Sequence, residues 1–136
     1  MRAPDFNNKQ TLVNIGTGND KVPGWGVNKS FERVTIPADG WITIMAHTEN
    51  HLTQDLADDS NYKQQRIYVY VNDQRVVTSD SSIASLKSHT EDTDSAFIPV
   101  KAGDVVKWGY TYADNEVVTP NGYYNSILIV WMGLKD

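Results

Sequence analysis

The sequence has no cysteine among its 136 residues, which excludes a disulfide framework and a thiolate metal site. It also lacks a basic run: the 12 Lys and Arg residues are scattered, and the net charge is −5. Proteins that bind nucleic acids usually carry a basic patch or stripe, so we expect no nucleic-acid partner. Hydrophobic residues make up 40% of the chain and charged residues 21%, which is typical of one globular domain.

Signals for secretion and membrane insertion are also missing. The first residues contain no apolar segment of the kind found in secretory signals. The longest apolar stretch, residues 123–134, is shorter than the roughly 20 residues that a membrane-spanning helix needs. We therefore expect neither a signal peptide nor membrane insertion.

What the sequence does contain is a β pattern. Residues 66–71 alternate cleanly, with Ile67, Val69 and Val71 on one face and Tyr68 and Tyr70 on the other. Similar segments, separated by turn residues, predict about eight strands, with no helix and no internal repeat. The predicted strands are residues 10–15, 31–36, 41–48, 66–71, 74–78, 95–100, 105–112 and 123–134.

Long polar stretches separate some of these strands. Residues 49–65, 79–93 and 113–122 are predicted to be loops, whereas residues 72–73 and 101–104 are predicted to be tight hairpin turns. Long connections favour a Greek-key jelly roll over an up-and-down barrel. The predicted fold is therefore all-β, a two-sheet antiparallel β-sandwich of jelly-roll type. It forms one compact domain, in which residues 1–30 supply an arm, the first strand and a glycine-rich loop packed on residues 31–136.

The last strand is the most apolar element of the chain. From Ile127 onward both faces of this strand carry apolar residues, and such a strand lies between two layers or at a subunit contact. Pro99 indicates that the strand before the 101–104 turn lies at a sheet edge, or that Pro99 marks the end of that strand. The residues predicted to form the core or an oligomer contact are Tyr124, Ile127, Ile129 and Trp131.

Three segments carry a resemblance to known proteins. They read IPADGWI at residues 36–42, VYVNDQRV at 69–76 and IPVKAGDVV at 98–106, and a C-terminal aromatic and aliphatic strand follows them. In this order they resemble the jelly-roll tip domains of bacteriophage tail fibres and related virion proteins. More distantly, they are similar to the trimeric heads of complement-type and tumour-necrosis-factor-like proteins.

This resemblance implies a function. Proteins of this kind are typically homotrimers that recognise glycans or proteins on the host surface. It implies a non-enzymatic virion protein, made in the bacterial cytoplasm, with no cofactor and with other virion proteins as further partners. A fibre tip normally follows a long shaft, so we expect this chain to be either an excised domain or a stand-alone accessory protein. The second hypothesis is a cellular carbohydrate-binding or adhesion module.

Aromatic residues near loops indicate where a glycan would bind. Sugars stack on ring faces and form hydrogen bonds with planar amides and carboxylates. The alternative is that these rings cap the ends of the sandwich or fill a subunit interface. The candidate ligand-binding residues are Trp25, Tyr62, Tyr112, Asp114, Asn115 and Tyr123.

A third hypothesis is a metal-dependent enzyme. If the strand that begins near Trp41 continues to residue 51, then His47, Glu49 and His51 project from one face, where they could hold zinc or iron. The alternative is a strand that runs into a solvated loop. No Gly-x-Ser-x-Gly elbow and no cysteine nucleophile is present, so the sequence favours a protein without enzymatic activity.

Overall fold

The computed structural model describes residues 2–15, 32–52, 62–84, 89–114 and 120–136. These residues form eight antiparallel strands in two sheets, which confirms the predicted all-β sandwich. No helix in these ranges is long and apolar enough to cross a membrane. The strands are β1 (Pro4–Ile15), β2 (Glu32–Thr35), β3 (Gly40–Leu52), β4 (Tyr62–Val71), β5 (Gln74–Ala84), β6 (His89–Val100), β7 (Val105–Asp114) and β8 (Pro120–Leu134).

The two sheets interleave along the chain. The first sheet has the strand order β1-β8-β3-β6, and the second has the order β2-β7-β4-β5. Among these eight strands, β4 and β5 are the one consecutive pair that lies side by side in a sheet. Every other consecutive pair is divided between the sheets. The apolar strands β3 and β8 are therefore central in the first sheet, and β4 and β7 are central in the second.

The core fills the space between the sheets. Ile42 and Ile44 from β3, and Ile127 and Ile129 from β8, are fully buried there. Trp131 continues the inward face of β8 with 9% of its surface exposed, and its Nε1 donates a hydrogen bond to the Ala38 carbonyl at 2.8 Å. The indole thus ties the end of β8 to the turn that precedes β3. One parity of β8 supplies much of the core.

The strands extend further into the polar stretches than the sequence predicts. The loop prediction for residues 49–65 is wrong at both ends, because β3 runs to Leu52 and β4 begins at Tyr62. The prediction for residues 79–93 fails in the same way, because β5 runs to Ala84 and β6 begins at His89. The third predicted loop, residues 113–122, is shortened too, since β7 ends at Asp114 and β8 begins at Pro120.

Buried hydroxyl groups explain these longer strands. Thr48 Oγ1 and Ser79 Oγ lie 2.9 Å apart in the interior, one from each sheet. Ser79 Oγ also donates to the Asp92 carbonyl at 2.9 Å. Because these hydroxyls satisfy one another, the core can continue with polar residues beyond its apolar part.

Carboxylates join the two sheets along one side of the sandwich. The backbone N–H of Thr78 donates to Asp94 Oδ2, and that of Asp80 donates to Asp92 Oδ2, both at 2.9 Å. Their strands, β5 and β6, are edge strands of opposite sheets, so the edge position predicted from Pro99 is confirmed. The two carboxylates occupy N–H groups that an open sheet edge would otherwise present to another chain.

The predicted turns behave in two different ways. Asn72 and Asp73 have φ values of 47° and 65° and connect β4 to β5, which confirms the hairpin prediction. Residues 101–104 do form a tight turn, with the Asp104 N–H bonded to the Lys101 carbonyl at 3.0 Å. However, this turn leads from β6 in the first sheet to β7 in the second, so the hairpin prediction is wrong there.

The three turns at residues 37–40, 72–73 and 101–104 meet at one end of the sandwich, and we call them the turn cluster. Asn72 Nδ2 donates to Asp104 Oδ1, and Asn72 Oδ1 accepts from the Val105 N–H, both at 2.9 Å. The Ala102 N–H donates to Asp39 Oδ1, also at 2.9 Å. The three segments that carry the resemblance therefore form one connected network.

Asp104 should make the turn cluster sensitive to acid. The Lys101 N–H and the Asn72 amide donate to its carboxylate and lower the pKa of Asp104 below its ordinary value. Since the native pKa is the lower one, the stabilisation is complete above about pH 4 and is lost as pH falls through the native pKa. We expect Asp104→Asn to reduce the unfolding free energy at neutral pH by about 1 kcal/mol, because solvent screens this partly exposed group.

Urea unfolding of wild type and Asp104→Asn across the acid range measures this effect. The difference between the two proteins should shrink as the pH falls below about 4. Asp136→Asn, at an exposed position, serves as the control. A difference between wild type and Asp104→Asn that is independent of pH would show that these hydrogen bonds do not act through the carboxylate charge.

Candidate functional site

The outward side of the first sheet is apolar where β3, β6 and β8 approach the turn cluster. Because side chains alternate along a strand, the residues between the core positions of β3 and β8 point away from the core. Phe6, Met45 and Phe97 have 60%, 49% and 47% of their surface exposed. We call this surface the outer apolar face. It comprises Phe6, Trp41, Met45, Phe97, Leu128, Val130 and Met132, of which Met132 is almost fully covered.

A pocket of about 640 Å³ lies on the outer apolar face. Its apolar lining includes Phe6, Phe97 and Val130, with the side chains of Lys9 and Thr11 from β1 completing it. The rings of Phe6 and Phe97 stack with their centroids 6.5 Å apart. Exposed apolar residues that lie together in this way are typical of interaction surfaces.

The N-terminal residues help to shape this surface. Trp41 stacks on Phe97 with ring centroids 5.0 Å apart, and its Nε1 donates to the Arg2 carbonyl at 2.9 Å. The Lys135 N–H donates to the Ala3 carbonyl at 2.9 Å. These backbone contacts hold the beginning of β1 beside the apolar rings. The outer apolar face therefore combines residues from both ends of the chain.

Strand β8 contributes to two surfaces. Ile127, Ile129 and Trp131 lie in the core. The residues that face outward are Leu128, Val130 and Met132, which sequence reasoning did not single out. The sequence did contain the pattern that identifies them, because they alternate with the core residues and form the second apolar face of the same strand. For Tyr124, the remaining residue predicted to form the core or an oligomer contact, the structure describes the backbone, which pairs with Glu49 of β3, but not the side chain.

The predicted glycan residues are described incompletely. Lys63 pairs with Asp114 across β4 and β7, so Tyr62 and Asp114 occupy one end of the second sheet, away from the turn cluster. Tyr123 pairs with Asn50 at the corresponding end of the first sheet. The structure describes the backbone but not the side chains of Tyr62, Tyr112, Asp114 and Tyr123, whereas Trp25 and Asn115 lie outside the described residues.

The outward side of the second sheet differs in character from the outer apolar face. The Arg75 guanidinium lies over the Tyr68 ring, 5.7 Å from its centroid, and the Lys107 ammonium lies over the Tyr70 ring at 5.6 Å. Lys107 also pairs with Asp73 and thereby lowers the pKa of that carboxyl group. This surface is charged, and its own cations cover one face of each ring.

The predicted metal ligands are partly brought together. His47 and Glu49 lie on the outward side of β3, with His47 Nε2 3.4 Å from Glu49 Oε1. The backbone of His51 is opposite His89, but the His51 side chain is not described. Instead, Glu91 of β6 completes a group whose ligand atoms lie within 4.8 Å of one another. Sequence reasoning missed Glu91 because its position depends on the β3–β6 register.

No protein-family model matches this chain, and no characterised protein sequence matches it significantly.

Proposed function

We propose that this protein is a non-enzymatic, homotrimeric jelly-roll module of a virion that binds a glycan or protein on the host surface. The observation that carries the proposal is the outer apolar face, which is suited to burial between copies of the chain. The end of the sandwich opposite the turn cluster then remains available to the receptor, and the outward face of the second sheet stays in water.

The strand order supports the jelly-roll assignment. A jelly roll consists of two sheets and two Greek keys, so consecutive strands repeatedly change sheet. Here the order β1-β8-β3-β6 in one sheet and β2-β7-β4-β5 in the other leaves β4–β5 as the one hairpin within a sheet among the described strands.

The contrast between the two outward sheet faces supports self-association through the first sheet. The centres of protein interfaces are enriched in aromatic residues and methionine and depleted of lysine and acidic residues. The outer apolar face shares the aromatic and methionine content, with exposed Phe6, Phe97 and Met45, although Lys9 and Thr11 lie at its pocket. The second sheet instead presents Arg75 and Lys107 over tyrosine rings. Three copies packed through the first sheet would bury the apolar surface and leave the charged one in water.

Receptor binding is assigned to the end of the sandwich opposite the turn cluster. The turn residues are engaged in hydrogen bonds with one another. At the opposite end, Tyr62 begins β4, Asp114 ends β7 and Tyr123 lies near the start of β8, which begins at Pro120. A trimer presents three copies of this end together. Three weak sites then act jointly, because the first contact raises the effective concentration of the other two.

A cell-binding and glycan-array experiment tests this function. Fluorescently labelled wild type should bind a subset of bacterial surfaces or their isolated glycans, and Tyr62→Ala or Tyr112→Ala should weaken binding without changing the molar mass. Tyr70→Ala, on the second sheet, serves as the matched control. A monomeric variant should bind about 100-fold more weakly through loss of avidity. A monomeric wild type that binds glycans with full strength would instead identify a cellular carbohydrate-binding module.

A further inference from the structure

We propose that His47, Glu49 and Glu91 bind a divalent transition-metal ion of the zinc class on the outward side of the first sheet. One ligand atom from each of the three side chains lies within 4.8 Å of the others. The group is built from two neighbouring strands, with His47 and Glu49 two residues apart on β3 and Glu91 on β6. It lies toward the end of the sheet away from the turn cluster.

The distance between the first two ligands matches a metal site. Zinc bonds to imidazole nitrogen and carboxylate oxygen are about 2.0–2.2 Å long, so two ligands of a tetrahedral ion lie about 3.3–3.5 Å apart. His47 Nε2 is 3.4 Å from Glu49 Oε1. Glu91 is exposed, so its side chain can change rotamer toward the same ion.

The histidine ring is already oriented for binding. His47 Nδ1 lies 2.6 Å from Thr93 Oγ1, and Thr93 is directly opposite His47 in the β3–β6 register. When Nδ1 carries the proton and donates to this hydroxyl, Nε2 keeps its lone pair and faces the Glu49 carboxylate. Metal-binding histidines commonly have such a partner on the second nitrogen, which fixes the tautomer and the ring orientation. Thr93 is therefore a positioning residue for the site.

The two carboxylates provide a further reason for a cation. Glu49 and Glu91 are directly opposite each other across β3 and β6, an arrangement in which like charges repel. A divalent ion between them would be attracted to both carboxylates. The chain has three histidines. The two besides His47, which are His51 and His89, lie opposite each other, two residues beyond the Glu49–Glu91 pair on the same strands.

The ligand set indicates the kind of ion. Imidazole nitrogen suits zinc, copper, iron and nickel, and two carboxylates add the negative charge that a divalent ion requires. Calcium prefers six to eight oxygen ligands, which this group does not supply. Three protein ligands leave one position of a tetrahedral zinc ion for water or for a group from a binding partner. All three ligands come from one chain, so the site does not require the proposed trimer to form.

Titration of tag-free, EDTA-treated protein with ZnCl₂ by calorimetry tests the proposal, with the visible absorption of Co²⁺ as a spectroscopic reporter. We expect one ion per chain and no detectable Ca²⁺ binding. His47→Gln and Glu91→Gln should each weaken Zn²⁺ binding at least about tenfold, and Thr93→Val should weaken it about tenfold while Thr93→Ser restores it. Glu32→Gln, in β2 of the second sheet, is the matched control. Circular dichroism checks that each variant is folded.

The outcomes are distinct from those of the proposed function. A variant made monomeric through the outer apolar face retains all three ligands and should bind Zn²⁺ as wild type does. Absence of both binding heat and a Co²⁺ spectrum in wild type would overturn the proposal. Unchanged Zn²⁺ affinity in Glu91→Gln would also overturn it, since Glu91 is the ligand that distinguishes this group from the sequence motif around His47.

Discussion

Replacing Gly40 by alanine is expected to destabilise the protein by about 3 kcal/mol or more, a large part of the stability of a typical domain. A Cβ atom at this position would lie 2.1 Å from the Met132 carbonyl oxygen and 2.7 Å from Trp131 Nε1. The first contact is with backbone, so no rotamer change relieves it. The β3–β8 pair would have to separate where Gly40 pairs with Gly133. Urea unfolding followed by tryptophan fluorescence measures the loss.

The same substitution at Gly103 provides the control. Gly103 has φ +88°, but a Cβ there meets nothing within 4 Å. Gly103→Ala should therefore cost about 1–2 kcal/mol through backbone strain alone. If Gly40→Ala were less destabilising than Gly103→Ala, the close approach of β3 to β8 would not be the constraint inferred here.

If the proposed trimer packs through the first sheet, Val130→Glu is expected to yield monomers that remain folded. Val130 is on the outer apolar face and lines its pocket, so a carboxylate there would be desolvated between copies of the chain. In the isolated chain the same carboxylate reaches water, because the side chain points away from the core. Sedimentation velocity measures the subunit number, and circular dichroism with thermal unfolding measures the fold.

Val105→Glu introduces the same charge on the second sheet. Val105 lies beside Arg33 and Lys107 on that outward surface, where a carboxylate finds cations and water. We expect it to leave the subunit number unchanged. If Val105→Glu dissociated the protein, or if Val130→Glu left its subunit number unchanged, the subunits would not associate through the first sheet as proposed.

Local signals in the sequence were sufficient for the strands with clear apolar alternation. Ile67 and Val69 identify β4, and the Asn72–Asp73 pair identifies the hairpin because both residues tolerate positive φ. Pro99 identifies an edge strand because it cannot donate a ladder hydrogen bond. In each case the structure is determined by properties of residues that are adjacent in the sequence, so it can be predicted locally.

The polar parts of the strands could not be predicted in this way. Thr48 and Ser79 look like loop residues, yet both are fully buried. Their burial depends on a hydrogen bond between residues 31 positions apart in the chain. Hydrophobic periodicity reports burial of apolar groups and contains no record of a polar pair that satisfies itself across two sheets.

Sheet assignment and site composition also depend on distant residues. The turn at Lys101–Asp104 has the same local hydrogen bond whether the next strand pairs with the previous one or joins the opposite sheet. Likewise, the sequence brings His47 and Glu49 together on one strand, but the placement of Glu91 beside them follows from the β3–β6 register. Non-local pairing decides both features.

The molar mass of the wild-type protein in solution tests the central claim most directly. Stable protein interfaces bury about 1,200–2,000 Å² in total, and the outer apolar face offers a surface suited to such a contact. Light scattering coupled to gel filtration should give three times the 15.3 kDa chain mass at micromolar concentration. A mass of one chain under these conditions would contradict the account, because the outer apolar face would then be exposed to water in the native protein.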